Sequence, residues 1–582
     1  MAGKTDAQAW LEEADINSLS PVESLKAWSD KALSRLRFSL KKEELADLIG
    51  EARDQFARID LLRKKLLIRS FFDPADQEIR QALEEITYYL PELLAAYSDF
   101  LSTAGQSSKK VQAASGIGDA FYLRAGELAS SYKKELLPLL QKEKTLISDQ
   151  LRRLDELSLS SLHPGAVKGE ARRILQSVSR DRRMRAYRSL ASWMARYRDQ
   201  ARQEFVELHQ TRRSLAEEAG FASFFDYTLS RTGLSGETRS SVTVFRRLVE
   251  EHLAPLSLPI RRLQWNRLAI TDPKPWDLLY PASFGLPALD PSAFPLEETY
   301  LEALGYLFSS KIPLFETMKE EGRLSFHLGA ESRGDSFVLD PCARGPRDGL
   351  LSFHFPSINR SCLLLPQLPQ EWFAAWVFAE TGSVLLDQSS EDTLPCPLER
   401  AEDELIGAVV RSSMSLLSQR TWGLFYGRMS RYAQEYHLTG LALDLPLICA
   451  LDEMEEFLSR ARVTNLDVFR HAWNEIARRY LLPGTDEELP ALIPADDLWL
   501  WSPLLWNRPL TGIFDALGAV TVLGTLPLGR RHQLLETSFG RLLEQNEVHD
   551  PWIRLAEAGY PSPLEEETVR KASFALVDYL GL

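Results

Sequence analysis

The sequence predicts a mainly α-helical protein with one small β-sheet. Three observations lead there. Apolar residues recur at three- and four-residue spacing along most of the 582 residues. Segments rich in β-formers are confined to residues 323–356. The composition, 45% hydrophobic and 26% charged, is that of an ordinary globular chain. The length exceeds one simple core and predicts two or three subdomains or one large helical body.

In order, LKKEELADLIGEARDQFARIDLLRKKLL (40–67) and EIRQALEEITYYLPELLAAYSDFL (78–101) each carry an amphipathic apolar stripe, with Pro91 a candidate kink in the second. The stretch 102–119 is small and polar, a candidate boundary, and helices resume from Phe121. SSLHPGAVKG (160–169) reads as a surface loop. Three strands are expected at 323–329, 335–340 and 348–356, separated by Gly- and Pro-bearing turns, followed by the apolar run SCLLLPQLP and a helix over WVFAETGSVLLD (376–387). The apolar stretch 510–529 contains Asp515 and four glycines, so a buried helix is expected there and not a membrane span.

Charge and cysteine content narrow the function. A net charge of −14 argues against general nucleic-acid binding. Residues 171–213 hold 12 arginines against four acidic residues, which reads as a basic helix face balanced by acidic neighbours. Cys342, Cys362, Cys396 and Cys449 form no C-x-x-C pair, which suits a reducing compartment. The N-terminal MAGKTDAQAWLEEADIN places acidic residues where a signal peptide needs an apolar run, so a cytoplasmic protein is expected. The tripeptide Arg333-Gly334-Asp335 is read as chance. There is no phosphate-binding G-x-x-x-x-G-K-[ST] and no G-x-S-x-G nucleophile turn. His471 and Glu475, four apart, fit a surface pair on one helix face.

Four blocks carry a family resemblance. SRDRRMRAYRSL (179–190), ELHQTRRSLAEEAGFASFFDYTLSR (207–231), the helix holding AETGS, and NRPLTGIFDALGAVTVLGTL (507–526) occur in an order and spacing that resemble the oligoendopeptidase F and thimet oligopeptidase family of zinc peptidases, over roughly residues 115–582. The resemblance implies a two-lobed, zincin-type helical body around a deep channel that admits short peptides. It divides the chain into an N-terminal helical region (1–115), a helical lobe (116–200) and a peptidase-like domain (201–582).

In that family two histidines four apart on a helix and a glutamate from the next helix hold zinc, and the glutamate after the first histidine is the general base. A later histidine and tyrosines stabilise the oxyanion and fix the peptide backbone. Carried over by residue, the first histidine position is Ala379 and the second Ser383, while the base survives as Glu380 and the packing glycine as Gly382. The third ligand position holds Val409, the late histidine position Leu504, and the two tyrosine positions Thr511 and Asp515. Alanine and valine have no donor atoms and serine is a poor neutral ligand, so no metal or other cofactor is expected.

The expected function is a catalytically inactive homologue that binds short peptides or a partner protein along an edge strand near 350–355, with neither nucleic acid nor membrane as partner. Glu380 is then a vestigial general base, facing a wet groove or pairing with Arg411 or Arg508. Two alternatives stay open: an active metallo-oligopeptidase using His354, His471 or Glu402 as stand-in ligands, and a purely structural subunit.

Overall fold

The computed structural model describes residues 20–36, 42–72, 76–106, 119–156, 177–277, 295–328, 351–355, 360–366, 373–389, 403–462, 464–481, 499–507, 509–526, 532–545 and 550–582. The expected strand at 335–340, the 160–169 loop, the Arg333 tripeptide, Glu402 and Arg508 lie outside these residues.

The N-terminal helices are α1 (Ser20–Leu36), α2 (Lys42–Phe72), α3 (Gln77–Gly105) and α4 (Asp119–Ser131). Their amphipathic stripes meet in a core of their own around Leu45, Leu48, Phe56, Tyr97 and Phe100. Asp76 caps α3 by accepting from the Glu78 and Ile79 amides, and the helix runs through Pro91.

Next come α5 (Leu137–Glu156) and α6 (Arg180–Ala219). At 40 residues α6 is about 60 Å long and passes residue 200 without a break. Its arginines are not simply a solvated face. Arg183 is buried on Asp277 at 2.6 Å, and Arg212 is buried on Glu143 at 2.9 Å. These partners lie 94 and 69 residues away, which the local charge pattern could not reveal.

The turn that follows is chemically explicit. Gly220 ends α6 at φ 90°, a left-handed conformation that costs glycine little. Ser223 then caps α7 (Phe224–Thr232): its hydroxyl accepts from the Asp226 amide and donates to the Asp226 carboxylate. The helices α8 (Gly236–His252), α9 (Ser257–Arg267), α10 (Leu296–Phe308) and α11 (Ile312–Glu320) complete this part.

The sheet has three strands, β1 (Leu324–Leu328), β2 (Leu351–Phe355) and β3 (Arg360–Pro366), in the order β1-β3-β2. β3 runs parallel to β1 and antiparallel to β2. This corrects the sequence expectation, in which the apolar run at 361–366 was not a strand. β3 is central and covered on both faces, so it shows a continuous apolar run instead of alternation. Leu363 joins the main core, while Cys362, Leu364 and Phe355 pack on Ile68 of α2.

After the sheet the chain continues through α12 (Phe373–Ser389), α13 (Glu404–Ser418), α14 (Gly423–Tyr426), α15 (Ser430–Arg460), α16 (Leu466–Leu481), α17 (Pro503–Asn507), α18 (Ile513–Thr525), α19 (His532–Glu544), α20 (Pro551–Ala558) and α21 (Glu566–Leu580). The stretch expected as a buried helix is α18, covered at every position but Asp515. Among the described residues no helix is long and apolar enough to cross a membrane.

Candidate functional site

Three buried helices and one edge strand build the site. α12 is apolar almost all round and is covered from Phe373 to Gly382, as an all-apolar helix in a large core must be. It packs on α13 through Gly382, where a Cβ would lie 3.0 Å from Val410 Cγ1, Val410 O and Met414 Cγ. On its far side α13 packs on α18 through Gly518, where a Cβ would lie 2.6 Å from the Ala408 carbonyl carbon and 2.8 Å from the Val409 nitrogen. A Cβ would overlap backbone at Gly518 and crowd Val410 and Met414 at Gly382, so glycine permits both close approaches.

These contacts bring Ala379, Glu380, Ser383, Val409, Thr511 and Asp515 onto three adjoining helices and their entry loop. Leu504 lies on α17, just before that loop. Ala379 and Ser383 share one face of α12; Ala379 is 8% exposed and Ser383 is half-buried. Val409 is fully buried. Two of these three side chains offer no donor atom, and the third is a neutral hydroxyl. The site therefore does not fit a zinc ion. Among the described residues no three His, Cys, Asp or Glu side chains converge as a metal-binding group.

Glu380 faces the sheet. It is 0% exposed, and the Ser352 hydroxyl of β2 donates to its Oε2. The expected wet surround is therefore wrong: β2 and α12 close over this carboxylate. The reason is the sheet, whose Ser352 and Ser361 lie on the α12 side and meet Glu380 and Gln388. Arg411 donates to Asp515 at 2.9 Å, joining α13 to α18.

Of the stand-in ligands, His354 and His471 belong to no metal-binding group among the described residues. His354, on β2, contacts Ser361 through Nδ1 at 3.0 Å. Burial and the Lys64 charge lower its pKa to about 4, so its ring is neutral at pH 7. His471 lies on α16, exposed, 3.3 Å from Glu475, the surface pair its spacing suggested.

The structure adds groups that sequence reasoning missed. Arg212 donates to the carbonyls of Leu505 (3.1 Å) and Trp506 (2.6 Å), fixing the approach to α18. Burial raises the pKa of its partner Glu143, but Arg231 and Arg212 outweigh it and hold the carboxyl at about 2. Leu510 adopts φ 60°, a costly conformation for a branched residue. Its amide donates to Glu455 Oε2 at 2.8 Å. Burial pushes the Glu455 carboxyl up to about 8, against the Leu510 bond and the Arg212 charge. Arg212 stands inside the quoted TRRS block, so a signal existed for it; Glu455, in an acidic run on α15, had none.

No family model matches the chain, and no curated protein matches it. Solved structures do. PZ peptidase A, solved with an inhibitor, superposes at TM-score 0.82 and 17% identity, over 96% of this chain and 97% of its own. A protein assigned as oligoendopeptidase F gives 0.81 at 16% identity, over 96% of each chain. A protein assigned as oligoendopeptidase F from Bacillus anthracis gives 0.79 at 15% identity, again over 96% of each. At such identities the likeness shows the fold. This chain has the helical oligoendopeptidase-like fold, as the four sequence blocks implied.

Proposed function

We propose that this chain is a catalytically inactive homologue of the zinc oligoendopeptidases that binds short peptides or a partner protein in a retained channel. The observation that carries the reading is the donor set. Ala379, Ser383 and Val409 sit where the resemblance requires two histidines and a glutamate, on helices whose packing is otherwise kept. Water without a metal keeps a pKa near 15.7 in place of about 7, so no nucleophile forms at neutral pH. Glu380, buried under Ser352, is not free to act as a base on such a water.

The binding half of the reading rests on β2. Among the described residues β2 is an edge strand, and antiparallel pairing turns every second peptide group of such a strand away from its neighbour. Those groups accept an added strand. Lys64 already binds one of them, the His354 carbonyl, at 3.0 Å.

The test is the metal content of the native protein by elemental mass spectrometry, with peptide cleavage followed with and without a chelator. Metal well below one per chain and no cleavage is the expected result. One zinc per chain with chelator-sensitive cleavage overturns the reading and returns attention to the stand-in ligands.

A further inference from the structure

The turn before α18 is strained and rests on one buried acid. Leu510 takes φ 60°, in the left-handed region that a bulky side chain avoids, and its amide donates to Glu455 Oε2 at 2.8 Å. The chain is fixed on both sides of it. Before the turn, Arg212 holds the carbonyls of Leu505 and Trp506 at 3.1 and 2.6 Å. After it, Ile513 and Phe514 are buried at the start of α18. Residues 509–512 are thus a short segment hinged between two anchors, and it carries Thr511, one of the positions of the emptied site.

Glu455 is poorly provided for as an anion. It is 6% exposed, and its second oxygen, Oε1, has no hydrogen-bond partner among the described residues. The cations that face it are already engaged. Arg212 of α6 is on Glu143 and the two carbonyls, and Arg239 of α8 is on Asp452 and Glu456. Asp452, on the same face of α15, adds a like charge. A sealed carboxylate with an orphaned oxygen costs more than the neutral acid in the same place. Burial accordingly raises the Glu455 pKa to about 8, with Asp452 adding to it and the Leu510 amide, Arg212 and Arg239 opposing.

We infer that the Glu455–Leu510 contact is a proton-controlled latch, which holds the 509–512 turn shut while Glu455 is neutral and lets it swing open when the proton leaves to solvent. Opening relieves two costs together: Leu510 leaves its strained conformation, and water reaches the carboxylate. The inference does not depend on peptide binding. Its sign follows from linkage. The shut turn keeps the acid neutral up to about pH 8, whereas a hydrated carboxyl in the open turn returns to the ordinary 4.5. Between those limits the ratio of open to shut rises about tenfold per pH unit.

The experiment is amide hydrogen exchange of the native chain at pH 5.5, 6.5 and 7.5, read by mass spectrometry on fragments spanning 509–516 and 518–525. Hydroxide catalysis alone speeds exchange about tenfold per pH unit, and dividing by that factor leaves the opening ratio. For 509–516 the corrected ratio is expected to rise roughly 50-fold from pH 5.5 to 7.5. This fragment is also expected to exchange at least tenfold faster than 518–525 at pH 7.5. Glu455→Gln, which cannot ionise, is expected to flatten the corrected ratio to within twofold. A flat ratio in the native chain overturns the latch, whether or not the variant folds. A ratio that falls as pH rises also overturns it, because the amide–carboxylate bond then outweighs burial. Equal exchange of both fragments overturns it as well, since the opening is then that of the whole chain.

Discussion

Putting ligands back at Ala379, Ser383 and Val409 tests the site directly. Val409 is fully buried between α12 and α18. A lone Val409→Glu therefore places a carboxyl where ionisation is opposed, and buried glutamates reach pKa values of roughly 8–9. Against an unfolded value of about 4.3, holding it protonated at pH 7.5 costs about 4 kcal/mol. Ala379→His and Ser383→His lie four apart on a face with small residues, so the triple variant supplies a three-ligand site. Zinc at 1,000 times its dissociation constant returns about 4 kcal/mol, enough to offset the buried charge. The assay is urea unfolding across a zinc series, with bound metal counted by elemental mass spectrometry. The single variant should lose about 4 kcal/mol and ignore zinc, whereas the triple variant should regain most of that loss at one zinc per chain. A folded triple variant that takes no more zinc than the native chain refutes the placement of α12 against α13.

Gly518→Ala should destabilise by about 2–4 kcal/mol in the same unfolding assay, because its Cβ would overlap α13 backbone at 2.6–2.8 Å and helix propensity returns only about 1 kcal/mol. Gly540→Ala on α19, with nothing within 4 Å, should be neutral or gain up to about 1 kcal/mol; equal losses at both sites would refute the contact. Glu455 sets a pH dependence of defined sign. Its folded pKa of about 8 exceeds the usual 4.5, so the folded chain holds a proton that the unfolded chain releases. That contribution is fully present below about 4.5 and is lost as pH rises towards 8, roughly 3 kcal/mol of it by pH 7. Glu455→Gln keeps an acceptor for the Leu510 amide and should be more stable than the native chain at pH 8 but not at pH 5, by unfolding at each pH. An unchanged difference across that range would exclude Glu455 as the titrating group.

The blocks that made the fold legible are structural chemistry. The GFASFFDY run contains the left-handed turn at Gly220 and the Ser223–Asp226 cap. The early arginine block contains Arg183, buried on Asp277. The late block contains Gly518, whose contact admits no side chain. Each meets a local demand that few other residues satisfy. Donor atoms are a property of residue type, so Ala379 and Val409 offer none wherever they lie. β3 was missed because a strand covered on both faces has no alternation to read.

By itself the sequence determined that the chain is helical and that four blocks resembling the oligoendopeptidases follow one another in order around AETGS. Only the tertiary structure decided that Glu380 is sealed by Ser352, that Arg411 pairs with Asp515, and that Arg212 and Glu455 fix the loop before α18. The physical reason is range. Propensity, capping and donor chemistry act within a few residues and are written in local order, whereas burial and Coulomb energy depend on which distant side chains the fold brings within a few ångströms.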